Sequence, residues 1–182
     1  MKLIRNLVGL GAVALAMVGW NCAAERKAGH DAAKTATAAI QSRSDSHVTG
    51  KATFTEEKGQ VTLKIEIEGA EPGTHAVHLH EKGDCAAPDA TSAGGHWNPT
   101  HENHGKWNTA PFHHGDIGNI EVGADGKGTF KLTTNLWTIG SGVDTDVVGK
   151  AVIVHAKADD FTTQPTGNAG GRVGCGVVEL AK

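Results

Sequence analysis

Tyrosine is absent from this 182-residue chain, and aromatic residues make up only 4% of it. No stretch sets basic residues among aromatics, and the formal net charge is −3, so neither the stacking platform nor the positive field of a nucleic-acid binder is present. There is no internal repeat. Beyond residue 46 no apolar helical period appears, which argues against a helical bundle. Only one apolar run stands out, Leu7 to Trp20, and its 14 residues fall short of the roughly 20 that cross a bilayer. What the chain has is glycine, 25 residues of it against 5 prolines, a balance that suits short strands joined by tight turns. A chain of this length can bury one real core.

The N-terminus reads as an export signal. Lys2 and Arg5 supply the positive start, and the apolar run has the length of a signal h-region. Two processing routes fit. Cys22 is placed like the lipid-bearing cysteine of a bacterial lipoprotein, although Gly19-Trp20-Asn21 departs from the small residues expected before it; alternatively, cleavage after Ala24 uses Cys22 and Ala24 as the small residues. Loss of residues 1–24 removes Lys2 and Arg5 and takes the net charge from −3 to −5. Residues 25–46 are Ala, Lys, Thr, Ser and Asp with few bulky apolar groups, too little to offset their ordering entropy. The reading is a flexible tether, with a frayed helix around Asp31–Ile40 and an inert His30. The folded domain is then 47–182.

From His47 the period changes to two. Val61, Leu63, Ile65 and Ile67 alternate with Thr62, Lys64, Glu66 and Glu68, a strand with one buried and one wet face. Strands are also expected around Val48–Phe54, Val77–His80, Ile120–Val122, Phe130–Leu132, Ala151–Val154 and Arg172–Leu180. Two aperiodic loops, 81–115 and 158–171, are too long to be idle in a compact domain. The sum is an all-β fold of about eight strands, a Greek-key sandwich or flattened barrel with two functional loops. Cys22 belongs to the processing region, which leaves Cys85 and Cys175. In an oxidising compartment that pair reads as a disulfide.

The chain is organised around Thr74-His75-Ala76-Val77-His78-Leu79-His80. On a strand, Val77 and Leu79 point one way and His78 and His80 the other. Two imidazoles side by side can grip one metal ion. His96, His101, His104, His113, His114, Asp116 and His155 follow, more nitrogen and carboxylate donors than a fold needs.

Five segments then come into register with one family: Gly73–Glu81 with Gly83-Asp84-Cys85, Thr91–Pro99, His113–Asn119, Val154–Asp160 and Thr166–Gly176. Over residues 46 to 181 the sequence resembles an exported bacterial copper/zinc superoxide dismutase. The resemblance implies copper held by His78, His80, His96 and His155, and zinc by His96, His104, His113 and Asp116. His96 would serve both as a bridging imidazolate. The family spacing, Pro three and a ligand eight residues after the bridge, selects Pro99 and His104 over His101. Its His-x-Gly-Asp pattern selects His113 over His114.

His101, His114 and His47 are then expected to be exposed, and His75 to brace loops. Asp159 would link His78 to His104, and Arg172 would stand by the copper as an anion-binding charge. The disulfide would anchor the 81–115 loop to the Arg172 strand. The implied substrate is superoxide, the implied place is the periplasm, soluble or tethered through a lipidated Cys22, and the implied assembly is a monomer or homodimer.

Overall fold

A computed structural model describes residues 33–182. The export signal, Cys22 and His30 lie outside the described residues. Nine strands follow in order: β1 (Lys34–Ser42), β2 (Thr49–Glu57), β3 (Gln60–Glu68), β4 (Gly73–His80), β5 (Gly118–Val122), β6 (Gly128–Thr134), β7 (Ala151–His155), β8 (Arg172–Val177) and the two-residue β9 (Glu179–Leu180). Neighbours run β2-β3-β6-β5-β4-β7-β8-β1, and β1 returns to β2, so eight antiparallel strands close into a barrel. Closure is thinnest between β5 and β6, where Val122 opposite Gly128 is the one register pair. Among the described residues the sole helical piece is the turn Thr91–Ala93.

The strand at Lys34–Ser42 corrects the tether reading. Its inward residues Ala36, Ala38 and Ile40 are fully or almost fully buried, and it pairs along its length with β2, Ala36 opposite Phe54 and Ala38 opposite Ala52. Alternation was present, but it was written in alanine and threonine. Alanine inward leaves room for the rings of Phe54, on the neighbouring strand, and Trp137, which lie 6.1 Å apart. Taken alone, the same alanines favour a helix; the barrel's need for a small residue overrides that preference. The domain therefore begins ahead of His47. Ile40→Ala should cost about 2–4 kcal/mol in a denaturant-unfolding experiment, because it leaves a cavity. A free tether would lose nothing.

The expected alternation of β3 is met, with Val61, Leu63, Ile65 and Ile67 buried. β4 and β7 are buried on both faces. Val77, Leu79, Val152 and Val154 enter the barrel core. On the outer face, His78 stands opposite Ile153 and His80 opposite Ala151. Ile153 in turn stands opposite Cys175. Ala151, Ile153 and Cys175 form a second small apolar cluster with Ala90, Ala93 and Cys85 from the covering loop. One end of the outer face of β4-β7-β8 thus carries an apolar patch under the loop, and the imidazoles line the rest.

The 81–117 loop is laced to β4 by two backbone hydrogen bonds, Trp97 N–H to Leu79 O (2.8 Å) and Leu79 N–H to Gly115 O (2.9 Å), and a third within the loop, Gly115 N–H to Trp97 O (2.9 Å), ties its two arms together. Trp137 belongs to the core, and its Nε1–H donates to the His114 carbonyl at 3.0 Å. Trp107 packs on Trp137 and Phe112 on Trp107, each at 5.3 Å, so these aromatics fasten the loop from its far side.

Candidate metal centre

Two donor groups converge on the outer face of β4. His78, His80, His96 and His155 form one, and His96, His104, His113 and Asp116 the other; all seven residues are buried. Strand parity places His78 and His80, β7 ends on His155, and the loop lacing holds His96 against β4, where it bridges to His80. The rings of His78 and His96 are 3.9 Å apart.

Each imidazole of the first group has one nitrogen engaged and one free. His78 Nε2–H donates to Asp159 Oδ2 (2.8 Å), and His80 Nδ1–H to Gly94 O (2.9 Å). His155 Nδ1–H reaches Gly170 O at 3.3 Å, and His96 turns Nδ1 to Asp116. The remaining atoms, His78 Nδ1, His80 Nε2, His96 Nε2 and His155 Nε2, are buried without a hydrogen-bond partner. Four orphaned nitrogens around one point carry a desolvation cost that a bound cation removes. An all-imidazole set suits copper.

The second group is tighter. Asp116 Oδ1 lies 2.8, 3.0 and 3.1 Å from the Nδ1 atoms of His96, His104 and His113. The His104 nitrogen lies out of line for a hydrogen bond and counts among the orphans. Zinc with nitrogen and oxygen ligands at about 2.0–2.1 Å separates them by roughly 3.3 Å in a tetrahedron, close to this crowding. The residues fit both metals.

The electrostatics agree. Burial pushes His80 and His155 well below the ordinary imidazole value, and neighbouring imidazoles add to it. Burial also lowers His78 against its bond to Asp159, and brings His96 down to about 4 against Asp116. These rings are neutral and keep their lone pairs. Burial opposes charge on His104 too, but its contacts with Asp116 and Asp159 outweigh it and raise the ring to about 9. Burial favours the neutral form of Asp116 and Asp159, yet the surrounding imidazoles win and hold both below the usual carboxylate range. Positive charge is therefore favoured between His104 and Asp116, where the second group would place its ion.

Asp159 sits between the groups, with Oδ1 accepting from His104 Nε2–H (2.9 Å) and Phe161 N–H (2.7 Å), and Oδ2 from His78. Gly167 covers it with φ +66°, and a Cβ there would overlap Asp159 Oδ1 and come within 2.6 Å of His104 Nε2. Gly167→Ala should weaken zinc retention at least tenfold in chelator competition, in the range found when the partners of metal ligands are disturbed.

Arg172 opposes His155 across the β7–β8 register. Its Nη1–H donates to Ala90 O (2.6 Å) and its Nη2–H to Gly94 O (2.7 Å), the same carbonyl that receives His80. The guanidinium is thus tied to a member of the first group through one shared acceptor. Cys85 and Cys175 are joined as a disulfide. His75 turns both ring nitrogens to backbone carbonyls, those of His155 and Glu71, each at 2.8 Å, and belongs to neither group.

His101 and His47 are exposed, as expected. His114 is not: it is half-buried beside Trp97, ring edge to ring face at 5.7 Å, because its carbonyl anchors Trp137. Two side-chain amides escaped sequence reasoning. Asn119 pairs with both backbone groups of Asp159, and Gln164 with both backbone groups of His104. Neither has a local sequence signal, since each contact spans 40 residues or more.

Residues 48–178 match the family described as copper/zinc superoxide dismutase. A superoxide dismutase [Cu-Zn] of Caulobacter vibrioides is 41% identical over 150 residues, covering 80% of this chain and 86% of that one. One of Deinococcus radiodurans is 38% identical, covering 72% and 78%. An extracellular superoxide dismutase [Cu-Zn] of Brugia pahangi is 36% identical, covering 81% and 78%. Among solved structures, that of the clock protein EA4 aligns with a TM-score of 0.72 at 34% identity, covering 81% of this chain and 94% of that one. The match spans most of the barrel and both donor groups, and the relatives agree in kind: this chain belongs to the copper/zinc superoxide dismutase family, oxidoreductases that consume superoxide.

Proposed function

We propose that His78, His80, His96 and His155 hold copper, that His96, His104, His113 and Asp116 hold zinc, and that Arg172 receives the superoxide anion. The observation that carries this reading is the set of four buried, unpartnered ring nitrogens in the first group. Overall, two superoxide anions and two protons become one dioxygen and one hydrogen peroxide. When bound, copper supplies the one-electron couple that oxidises one superoxide and reduces the next, while zinc supplies a fixed positive charge.

The chain positions these parts. Arg172, half-buried and held by two carbonyls, offers a fixed positive charge beside His80. It cannot lose its proton at working pH, so the anion always meets a cation. His96 belongs to both groups and is the residue placed to hold a proton at Nε2 between the half-reactions. Asp159 fixes the tautomers of His78 and His104, keeping the N–H on the outer nitrogen and the lone pair inward.

The chain acts outside the cytoplasm in this reading. Lys2, Arg5 and the apolar run support export, as do the Cys85–Cys175 bond and the extracellular relative. The mature protein would carry the barrel in the periplasm, freed by cleavage after Ala24 or tethered through Cys22. The mass of the mature chain decides between the two.

The test is superoxide consumption by the purified protein, stripped of metal and reloaded with copper and zinc, copper alone, or zinc alone. Activity is expected with copper present and none with zinc alone, with zinc raising the thermal midpoint. Equal activity in the zinc-only protein would overturn the assignment.

A further inference from the structure

The turn after β1 lies outside the family match, yet it grips both sides of the Arg172 site. Arg43 donates from Nε (3.0 Å) and Nη2 (2.7 Å) to the carbonyl oxygen of Cys85, the half-cystine in the first part of the covering loop. Ser44 N–H donates to Pro88 O at 2.9 Å, three residues further along that loop. In the other direction, Arg43 N–H donates to Val173 O (3.0 Å), and Ser44 Oγ–H to the carbonyl oxygen of Arg172 itself (2.9 Å). Ser46 Oγ–H adds a bond to Val173 O. The loop so held carries Ala90 and Gly94, whose carbonyls receive the Arg172 guanidinium.

Loop and strand β8 are therefore joined twice, covalently through Cys85–Cys175 and by hydrogen bonds through residues 43–46. The turn runs through Ser44 at φ 52° and Asp45 at φ 56°, left-handed conformations that cost energy for residues other than glycine. The neighbouring contacts hold it there. Two joints across one gap share the task of keeping Ala90 and Gly94 at their distance from Arg172. When one opens, the other still limits the loop.

We propose that Arg43 and Ser44 are positioning residues for Arg172, a non-covalent clamp redundant with the disulfide that keeps the guanidinium aimed when the disulfide is open. This rests on the reading of Arg172 as the anion-binding charge. It gives the N-terminal strand a part in the reaction as well as in the barrel. It also predicts that the chain can bind its anion before its cysteines are oxidised.

The experiment is a double-mutant cycle read by azide, a small anion of the substrate's charge, titrated spectroscopically into the copper- and zinc-loaded protein. The four proteins are the wild type, Cys85→Ser/Cys175→Ser, Arg43→Met and the combination, with metal content measured in each. Each joint lost alone should weaken azide about threefold. The combination should weaken it thirtyfold or more, beyond the product of the two, with both metals retained. Arg43→Lys, which keeps a donor, should recover part of the loss.

A combined loss no greater than the product would overturn the clamp. Ser44→Gly in the Cys85→Ser/Cys175→Ser background guards against a combination that fails to fold. Glycine suits the left-handed backbone and removes only the hydroxyl, so a threefold or larger loss is expected and no loss overturns the proposal. Arg172→Ala separates the role of Arg172 from that of the clamp. Unchanged azide affinity there removes the role of Arg172 and the clamp with it. Weakened affinity there, with Arg43 and Ser44 variants unaffected, removes the clamp alone.

Discussion

Asp159→Asn is expected to weaken zinc binding by ten- to hundredfold, measured by competition with a chromogenic chelator, while leaving every proposed ligand in place. The carboxylate now accepts from His78 on one oxygen and from His104 on the other. An amide offers one acceptor and one donor. Whichever way it turns, one imidazole faces an N–H where it needs an acceptor, and both lose the negative charge that makes them stronger ligands.

The zinc side should suffer more, for a structural reason. His78 sits mid-strand in β4, paired with β7 and fixed by the barrel. His104 sits in a loop, and its ring orientation depends on Asp159, with Gln164 holding the backbone behind it. Zinc affinity within twofold of the wild type would show that the bridge is dispensable.

Cys85→Ser/Cys175→Ser should lower the stability of the metal-free protein by about 4–5 kcal/mol. The crosslink spans 90 residues, and in the chain-entropy description closing a loop of that size removes about that much freedom from the unfolded chain. This is a large share of the roughly 5–15 kcal/mol that holds a typical domain together. Urea unfolding of the metal-free protein measures it. The metal-free form is the right one, because bound ions would themselves favour the folded state and hide the loss. The half-cystines also join Ala90, Ala93, Ala151 and Ile153 in the apolar cluster under the loop, so the variant loses packing as well. A change under 1 kcal/mol would mean that the unfolded chain is already restricted without the crosslink.

Both variants act on features read in different ways. The His78/His80 parity was legible because period two is a local property and many further donors follow in the sequence. β3 was legible for the same reason, with four branched or long aliphatic residues marking its inner face. Strand β1 was not, because alanine and threonine alternate without contrast. Its burial is set by its neighbours in the core, Phe54 beside it on β2 and Trp137, and neither is near in sequence. Choosing His104 over His101 took the family spacing; no local rule separates two histidines three apart on an irregular loop. Gln164, Asn119 and Arg43 act on backbone groups 40 or more residues away, and nothing in their own neighbourhoods announces it. Residues 135–149 carried no period either. There Asp146 accepts from the N–H groups of Gly140, Gly142 and Val148, a turn stabilised by a side chain and not by alternation.

Barrel closure has a bearing on how the chain reaches its fold. β1 pairs with β2 almost at once in sequence, but its other edge meets β8, where Gln41 stands opposite Cys175. A ribosome releases those two edges at opposite ends of synthesis. Until the last strand arrives, β1 and its growing sheet present an unpaired border of N–H and C=O groups, open to any passing strand. Pairings this distant in sequence also form slowly. Such a chain gains from staying unfolded until its last strand is available, and the proposed export, as an extended thread released on the far side of a membrane, would meet that requirement.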